Sequence, residues 1–219
     1  GSKSIPSKNL APVAGRPLLE WTLEALQVAE TLLRVVVSSD SEQVCENAAA
    51  FGCEIVERPS HLATDTSPSE SAMGHALRNL ADAHRLRTIC LSQATSPVRS
   101  SSLIDSAYEI MARERVDSVM TVRRQLPYVW QLVGHQLRPD YKVHERRPRQ
   151  ELENHEWLYA ETGGLYVTRM ASFLRSGLRV SGRIAPLVVS AMESIDIDDS
   201  DDLELADAVL SRRWKVRDQ

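Results

Sequence analysis

Arg34-Val35-Val36-Val37-Ser38 runs straight into Ser39-Asp40-Ser41-Glu42. The valine run is β-branched throughout, which marks a strand buried on both faces of a parallel sheet. The four residues after it read as a capping box, and the helix they open runs to Phe51 and stops at Gly52. Strand and helix follow each other with almost no linker. The same alternation extends outward in both directions. Upstream, Leu18, Leu19, Trp21, Leu23, Ala25, Leu26 and Val28 fall at helical spacing over Leu18 to about Glu30. Downstream, Cys53-Glu54-Ile55-Val56 is a short strand closed by Arg58-Pro59. Ser67-Pro68-Ser69-Glu70 then supplies a cap, a proline at the first helical position and a glutamate three residues after the cap, for a helix to about His84. Thr88 to Leu91 reads as a strand, Ser101 to Glu114 as a helix and Asp117 to Val122 as a strand. Short-spaced alternation predicts an α/β fold with ligands beyond the carboxyl ends of the strands. The loops Ser38 to Asp40, Arg58 to Ser69 and Gln93 to Arg99 should therefore line one edge.

The pattern changes from Arg123 to His155. This stretch is polar and irregular, with Pro127, Gly134, Pro139 and Pro148. Its length predicts a lid, or an excursion that packs on another subunit. The basic run Glu145-Arg146-Arg147-Pro148-Arg149 reads as a solvated or phosphate-facing surface. Order returns with a strand at Gly164 to Thr168, a short helix at Met170 to Arg175, an extended run at Arg183 to Val189 and a last helix from Ser200 to about Arg212.

The chain has 219 residues and a net charge of −4. That length suits a single domain, 1–219, with about 123–160 as its excursion. The acidic balance argues against nucleic acid as the main partner, which requires a basic face. Apolar runs are too short to span a membrane, and no apolar segment near the start reads as a signal peptide. The three cysteines, Cys45, Cys53 and Cys90, are well separated and form no CxxC pair. They read as reduced core thiols of a cytoplasmic protein.

Two segments carry chemistry. The first is Gly1 to Pro17, which holds Lys3, Lys8 and Arg16 among glycines, serines and prolines. It has no strand or helix period and feeds directly into a helix. Such a loop either wraps a polyphosphate, with backbone N–H groups and lysines meeting the charge, or is a solvated tail. The second is Ser194-Ile195-Asp196-Ile197-Asp198. In extended chain the aspartates share one face while the isoleucines point to the core. Paired carboxylates repel each other, and a hard divalent cation such as Mg²⁺ relieves that. The competing role is an acidic helix cap, which is assigned to Asp199, Asp201 and Asp202. Loop and carboxylates together imply a metal-bound polyphosphate.

These blocks resemble the acylneuraminate cytidylyltransferases, or CMP-sialic acid synthetases. The similarity rests on Gly1 to Asn9, Val35 to Asp40, Arg58-Pro59 with Ala63 to Thr66, Gln93 to Pro97, and Ser194 to Asp198. They occur in family order over nearly the whole chain. The resemblance implies a Rossmann-like nucleotide-diphosphosugar transferase fold, with a mostly parallel sheet flanked by helices, and a homodimer. It implies transfer of CMP from CTP to a nonulosonic acid with Mg²⁺. Ser2, Lys3, Lys8, Asn9, Arg58 and Ser69 would bind the nucleotide. Gln93, Arg149 and Tyr166 would bind the acidic sugar, Arg149 in its own subunit or across the dimer. Asp196 and Asp198 would hold the metal, with Asp198 and Lys8 catalytic.

The match departs from the family pattern in three places. The family has a hydrophobic central strand, ending in an arginine, ahead of the Gly1-Ser2-Lys3 loop; this core strand is expected upstream of Gly1. Glu161-Thr162-Gly163 stands where Glu-Asn-Gly is usual. Val129, in Pro127-Tyr128-Val129-Trp130, stands where a basic residue is usual. The last two touch the sugar side. The resemblance therefore implies CTP more firmly than sialic acid, and the alternatives are another acidic sugar such as Kdo or a non-catalytic nucleotide-binding relative.

Overall fold

Helix and sheet alternate because each apolar run is covered by an amphipathic neighbour. The structure, a computed structural model, describes residues 5–217, with side chains described for residues 5–212. Ser2 and Lys3 thus lie outside the described residues. The chain opens with a tight corner of two short antiparallel strands, β1 (Pro12–Val13) and β2 (Arg16–Pro17). Then follow α1 (Leu18–Val28), β3 (Val36–Ser39), α2 (Glu42–Ala50), β4 (Glu54–Glu57), α3 (Ser69–Arg78), β5 (Thr88–Ser92), α4 (Ser101–Glu114) and β6 (Ser118–Gln125). The expected excursion contains a hairpin, β7 (Trp130–Val133) and β8 (Gln136–Pro139), and short 3₁₀ turns. It returns through β9 (Leu158–Arg169), α5 (Met170–Ser176), β10 (Ile184–Val189) and α6 (Ser200–Arg217).

The fold is α/β, and its sheet is mixed. The four-stranded sheet runs β10-β6-β9-β5. β10 is parallel to β6, while β9 is antiparallel to both β6 and β5. A parallel pair, β3-β4, forms separately. The antiparallel strand has a direct cause. β6 reaches β9 through the excursion, without a crossover helix, so the chain re-enters the sheet in the reverse direction. β9 is also longer than the segment Gly164 to Thr168 suggests. A bulge between Met120 and Val122 places Thr121 inside. Its hydroxyl accepts from the Leu165 N–H at 3.0 Å and pairs with the Thr162 hydroxyl at 2.7 Å, so this buried polar group is satisfied.

Two helix starts differ from expectation. β3 continues through the buried Ser39, so the cap of α2 moves to Ser41, whose hydroxyl accepts from the Val44 N–H. At α3 the cap position is Pro68, and Ser67 instead bonds Thr64 and the His61 carbonyl. α3 ends at Arg78, short of His84, and a separate 3₁₀ turn spans Ala83–Arg85.

One core joins the two ends of the chain. Val13, Leu18 and Trp21 pack with Val98, Ile195, Ile197, Ala206 and Leu210. The Ala14 N–H donates to Asp207 Oδ1 at 2.7 Å, and Trp21 Nε1 donates to the Val13 carbonyl at 2.9 Å. This packing carries the basic loop to the acidic segment. Elsewhere, β3 pairs only with β4 and β5 only with β9 among the described residues. Their other edges face one cavity of about 740 Å³ with an apolar lining that includes Leu23, Val37, Ile89 and Leu91. Arg34 pairs with both Glu54 and Asp82, which ties the start of β3 to the segment preceding β5.

Candidate active site

The acidic segment alternates as its sequence requires. Ile195 and Ile197 are buried at 8% and 0% exposure, and Asp198 is exposed. The isoleucines anchor the strand-like stretch in the core and leave the aspartates at the surface of the site. Asp199 and Asp202 act as caps of α6. Asp199 Oδ1 accepts from the N–H groups of Asp201 and Asp202 at 3.0 and 3.1 Å, and Asp202 Oδ2 accepts from the Asp198 N–H at 3.0 Å.

Lys8 lies in a 3₁₀ turn, Lys8–Leu10, directly against this segment. Its ammonium donates to the Ile197 carbonyl and stands 3.7 Å from Asp198 Oδ1. The Lys8 side chain is 11% exposed and that of Asp198 is 85% exposed. The carboxylate remains solvent-accessible, while the lysine is held by the backbone.

The loop after β5 completes the wall. The Gln93 N–H donates to the Gly164 carbonyl at 3.1 Å, and the Ile197 N–H donates to the Thr95 carbonyl at 2.8 Å. The Ser96 hydroxyl donates to Asp196 Oδ1 at 3.2 Å. Gly163 lies against both side chains of interest. A Cβ placed there would meet Asp196 Oδ2 at 3.2 Å and Gln93 Oε1 at 3.3 Å. Lys8, Gln93, Asp196 and Asp198 are thus brought together from three distant parts of the chain.

The nucleotide-side residues meet along the large cavity. Asn9, Arg58, Ser69 and Gln93 all line it. An Arg58 guanidinium nitrogen donates to the Ser38 carbonyl. Arg58 Nε and the Ser38 hydroxyl are buried with no hydrogen-bond partner in the structure. Unpaired buried polar atoms are costly, and a polar ligand at the cavity edge would relieve them.

Tyr166 and Arg149 are placed differently. Tyr166 is buried at 2% exposure, and its hydroxyl donates to Glu161. Burial, then the Glu161 carboxylate, pushes its pKa well up, so it stays a neutral donor. Arg179 spans the gap to the nucleotide side. Its guanidinium is 5.2 Å from the Tyr166 ring, and its Nε donates to Glu70 Oε1 at 2.8 Å, next to Ser69. Arg149 sits on the exposed excursion, 5.6 Å from the Trp157 ring, with Arg124 closer on the same ring at 3.8 Å. No contact within this chain brings Arg149 to Gln93 among the described residues.

Glu161, Arg179, Ser96 and Arg99 belong to this neighbourhood without having been assigned roles from sequence. The usable signals were local. Glu161 begins the Glu-Thr-Gly triplet, and Arg99 ends the loop Gln93 to Arg99. Nothing local marks Arg179. The Cys90 thiol faces the cavity, and burial pushes its pKa up to about 12, so it is inert as a nucleophile.

The donor set fits Mg²⁺. Asp196 and Asp198 offer hard carboxylate oxygens with open space on the Asp198 side, and no group of three or more His, Cys, Asp or Glu ligands forms a closed cage among the described residues. Mg²⁺ is characteristically held by one or two carboxylates together with water and phosphate oxygens.

The family described as Cytidylyltransferase matches residues 1–137. N-acylneuraminate cytidylyltransferase A of Danio rerio is 28% identical over 201 residues, covering 90% of this chain and 46% of the relative. The CMP-N,N'-diacetyllegionaminic acid synthase of Legionella pneumophila is 28% identical over 221 residues, covering 96% of this chain and 92% of the relative. The chain spans about half the length of the N-acylneuraminate cytidylyltransferases it matches. Among solved structures, a CMP:2-keto-3-deoxy-manno-octonic acid synthetase complexed with CTP superposes with a TM-score of 0.66 at 15% identity, covering 97% of this chain and 95% of that one. That likeness supports the α/β cytidylyltransferase fold.

Proposed function

This chain belongs to the cytidylyltransferase family, and on that premise we propose that it transfers CMP from CTP to a nonulosonic acid. The observation that carries the reading is the meeting of Asn9, Arg58, Ser69 and Gln93 on one cavity, beside Lys8 and Asp198. Relatives named for acylneuraminic, pseudaminic and diacetyllegionaminic acids support the substrate class.

In the proposed reaction the anomeric hydroxyl oxygen attacks the α-phosphorus, and the bond to the bridging oxygen of pyrophosphate breaks in line. The hydroxyl proton passes to solvent. Positioning and charge neutralisation dominate such transfers, with little covalent work for the protein. Arg58 and Ser69 hold the cytidine, the Arg58 Nε finding there the partner it lacks in the protein. Asn9 and Lys8 meet the phosphates, joined by Ser2 and Lys3. Lys8 is fixed on the Ile197 carbonyl and neutralises charge gathering on the leaving pyrophosphate. Gln93 orients the sugar, supported by Glu161 and Tyr166. Asp196 and Asp198 would hold Mg²⁺, which would supply charge neutralisation for the triphosphate.

The chain is further proposed to work as a cytoplasmic homodimer. The excursion exposes Trp130, Leu132, Val133 and Leu137, an apolar face of the kind that packs on another surface. A second copy there would also give Arg149 a partner site to reach. No helix of the described residues is long and apolar enough to cross a membrane. Val129 and Thr162 alter the sugar side, so the test uses a panel of acidic sugars that includes Kdo. The expected result is pyrophosphate release with CTP, Mg²⁺ and at least one nonulosonic acid. Release with none refutes the proposal, and release with Kdo alone reassigns the acceptor.

A further inference from the structure

The Arg99 side chain folds back onto the loop that follows β5. Its Nε and Nη2 both donate to the Ser96 carbonyl, at 2.9 and 2.5 Å. Nη2 also donates to the Gln93 carbonyl at 3.0 Å, and Nη1 donates to the Ser92 hydroxyl. No carboxylate is ion-paired with it among the described residues. A desolvated guanidinium satisfied by neutral oxygens is a costly element, and its rigid fork fixes the geometry of whatever it binds. What it binds is the turn Ser92 to Ser96. That turn presents the Gln93 amide beside Gly163 and holds, through the Ser96 hydroxyl, the Asp196 carboxylate at the same place. The same turn accepts the Ile197 N–H at Thr95.

We propose that Arg99 is a positioning residue of the site, clamping the Ser92–Ser96 turn so that Gln93 and Asp196 are held in fixed places beside Gly163. The functional part rests on the reading above, in which Gln93 meets the sugar and Asp196 the metal. A lysine at 99 keeps the charge but loses the fork, since a single ammonium cannot reach the Ser92, Gln93 and Ser96 oxygens in the same geometry. The defect should therefore follow geometry, not charge.

The test uses the whole chain with Arg99→Lys and Arg99→Met. Hydrogen exchange, read by mass spectrometry, is expected to rise roughly tenfold over residues 92–98 and 195–198 in Arg99→Lys, with α4 and β6 unchanged. Pyrophosphate release is expected to fall roughly tenfold to a hundredfold in kcat/KM for the sugar, with KM for CTP nearly unchanged. Exchange that stays at the wild-type level overturns the proposal. So does a rise spread evenly over α4 and β6, or a loss of CTP and sugar binding in step, because either makes Arg99 a general support of the fold. If the wild-type chain releases no pyrophosphate with any acid, the proposed function fails, and the exchange pattern alone still decides the clamp. Arg99→Met tests the full loss; should it not fold, Arg99→Lys decides alone.

Discussion

Gly163→Ala separates backbone strain from damage to the site. Gly163 has φ of +76°, a conformation that costs an L-residue about 1–2 kcal/mol. In a domain of this size that predicts a fall in Tm of about 2–8 °C. The added methyl has a second effect. It would sit 3.2 Å from Asp196 Oδ2 and 3.3 Å from Gln93 Oε1, so both groups must give by a few tenths of an ångström. Displacements of that order at a reacting centre cost roughly tenfold to a hundredfold in rate. Gly177→Ala is the matched control. Gly177 has φ of +71° at the end of α5, and its Cβ would meet nothing within 4 Å. Both variants should lose similar stability by thermal melting. Only Gly163→Ala should lose sugar-dependent pyrophosphate release. If the two variants lose activity equally, or if Gly163→Ala is as active as wild type, the placement of Gln93 and Asp196 beside Gly163 is wrong.

Two further outcomes follow from particular contacts. Asp198→Ala is expected to lower turnover roughly a hundredfold or more and to raise the Mg²⁺ concentration needed for half-maximal rate; wild-type turnover would remove Asp198 from the metal site. Asp117 is held below the ordinary carboxylate value of 3.8, first by the Arg183 N–H at 2.9 Å and then by the Ser172 hydroxyl. A depressed folded pKa stabilises above the unfolded value and is lost as pH falls through the folded one. Wild type should therefore lose Tm more steeply than Asp117→Asn below about pH 4, and parallel curves would contradict this.

The elements and their order were readable in the sequence because they depend on short-range pattern. The valine run before Ser38 needs neighbours on both faces wherever it sits, and the Ile195-Asp196-Ile197-Asp198 alternation sorts core from surface whatever packs around it. The loops after the strands were legible as an edge for the same reason. Strand direction was not, since β9 is reversed by the path of the excursion, and no residue within β9 records that path. The cap of α2 moved from Ser39 to Ser41 because β3 took Ser39 into the sheet, a long-range competition for a backbone group.

The site divides along the same line. Residue types and local spacing nominated Lys8, Asp196 and Asp198, and the family resemblance added Arg58 and Gln93, each in its own stretch. Their meeting depends on packing between distant segments. Val13, Leu18 and Trp21 share a core with Ile197 and Ala206, and that burial, with the Lys8 bond to the Ile197 carbonyl, holds Lys8 against Asp198. Arg99 and Arg179 show the limit most clearly. An arginine's partners lie at the end of a long flexible side chain, so its neighbours in sequence say little about what it holds in place.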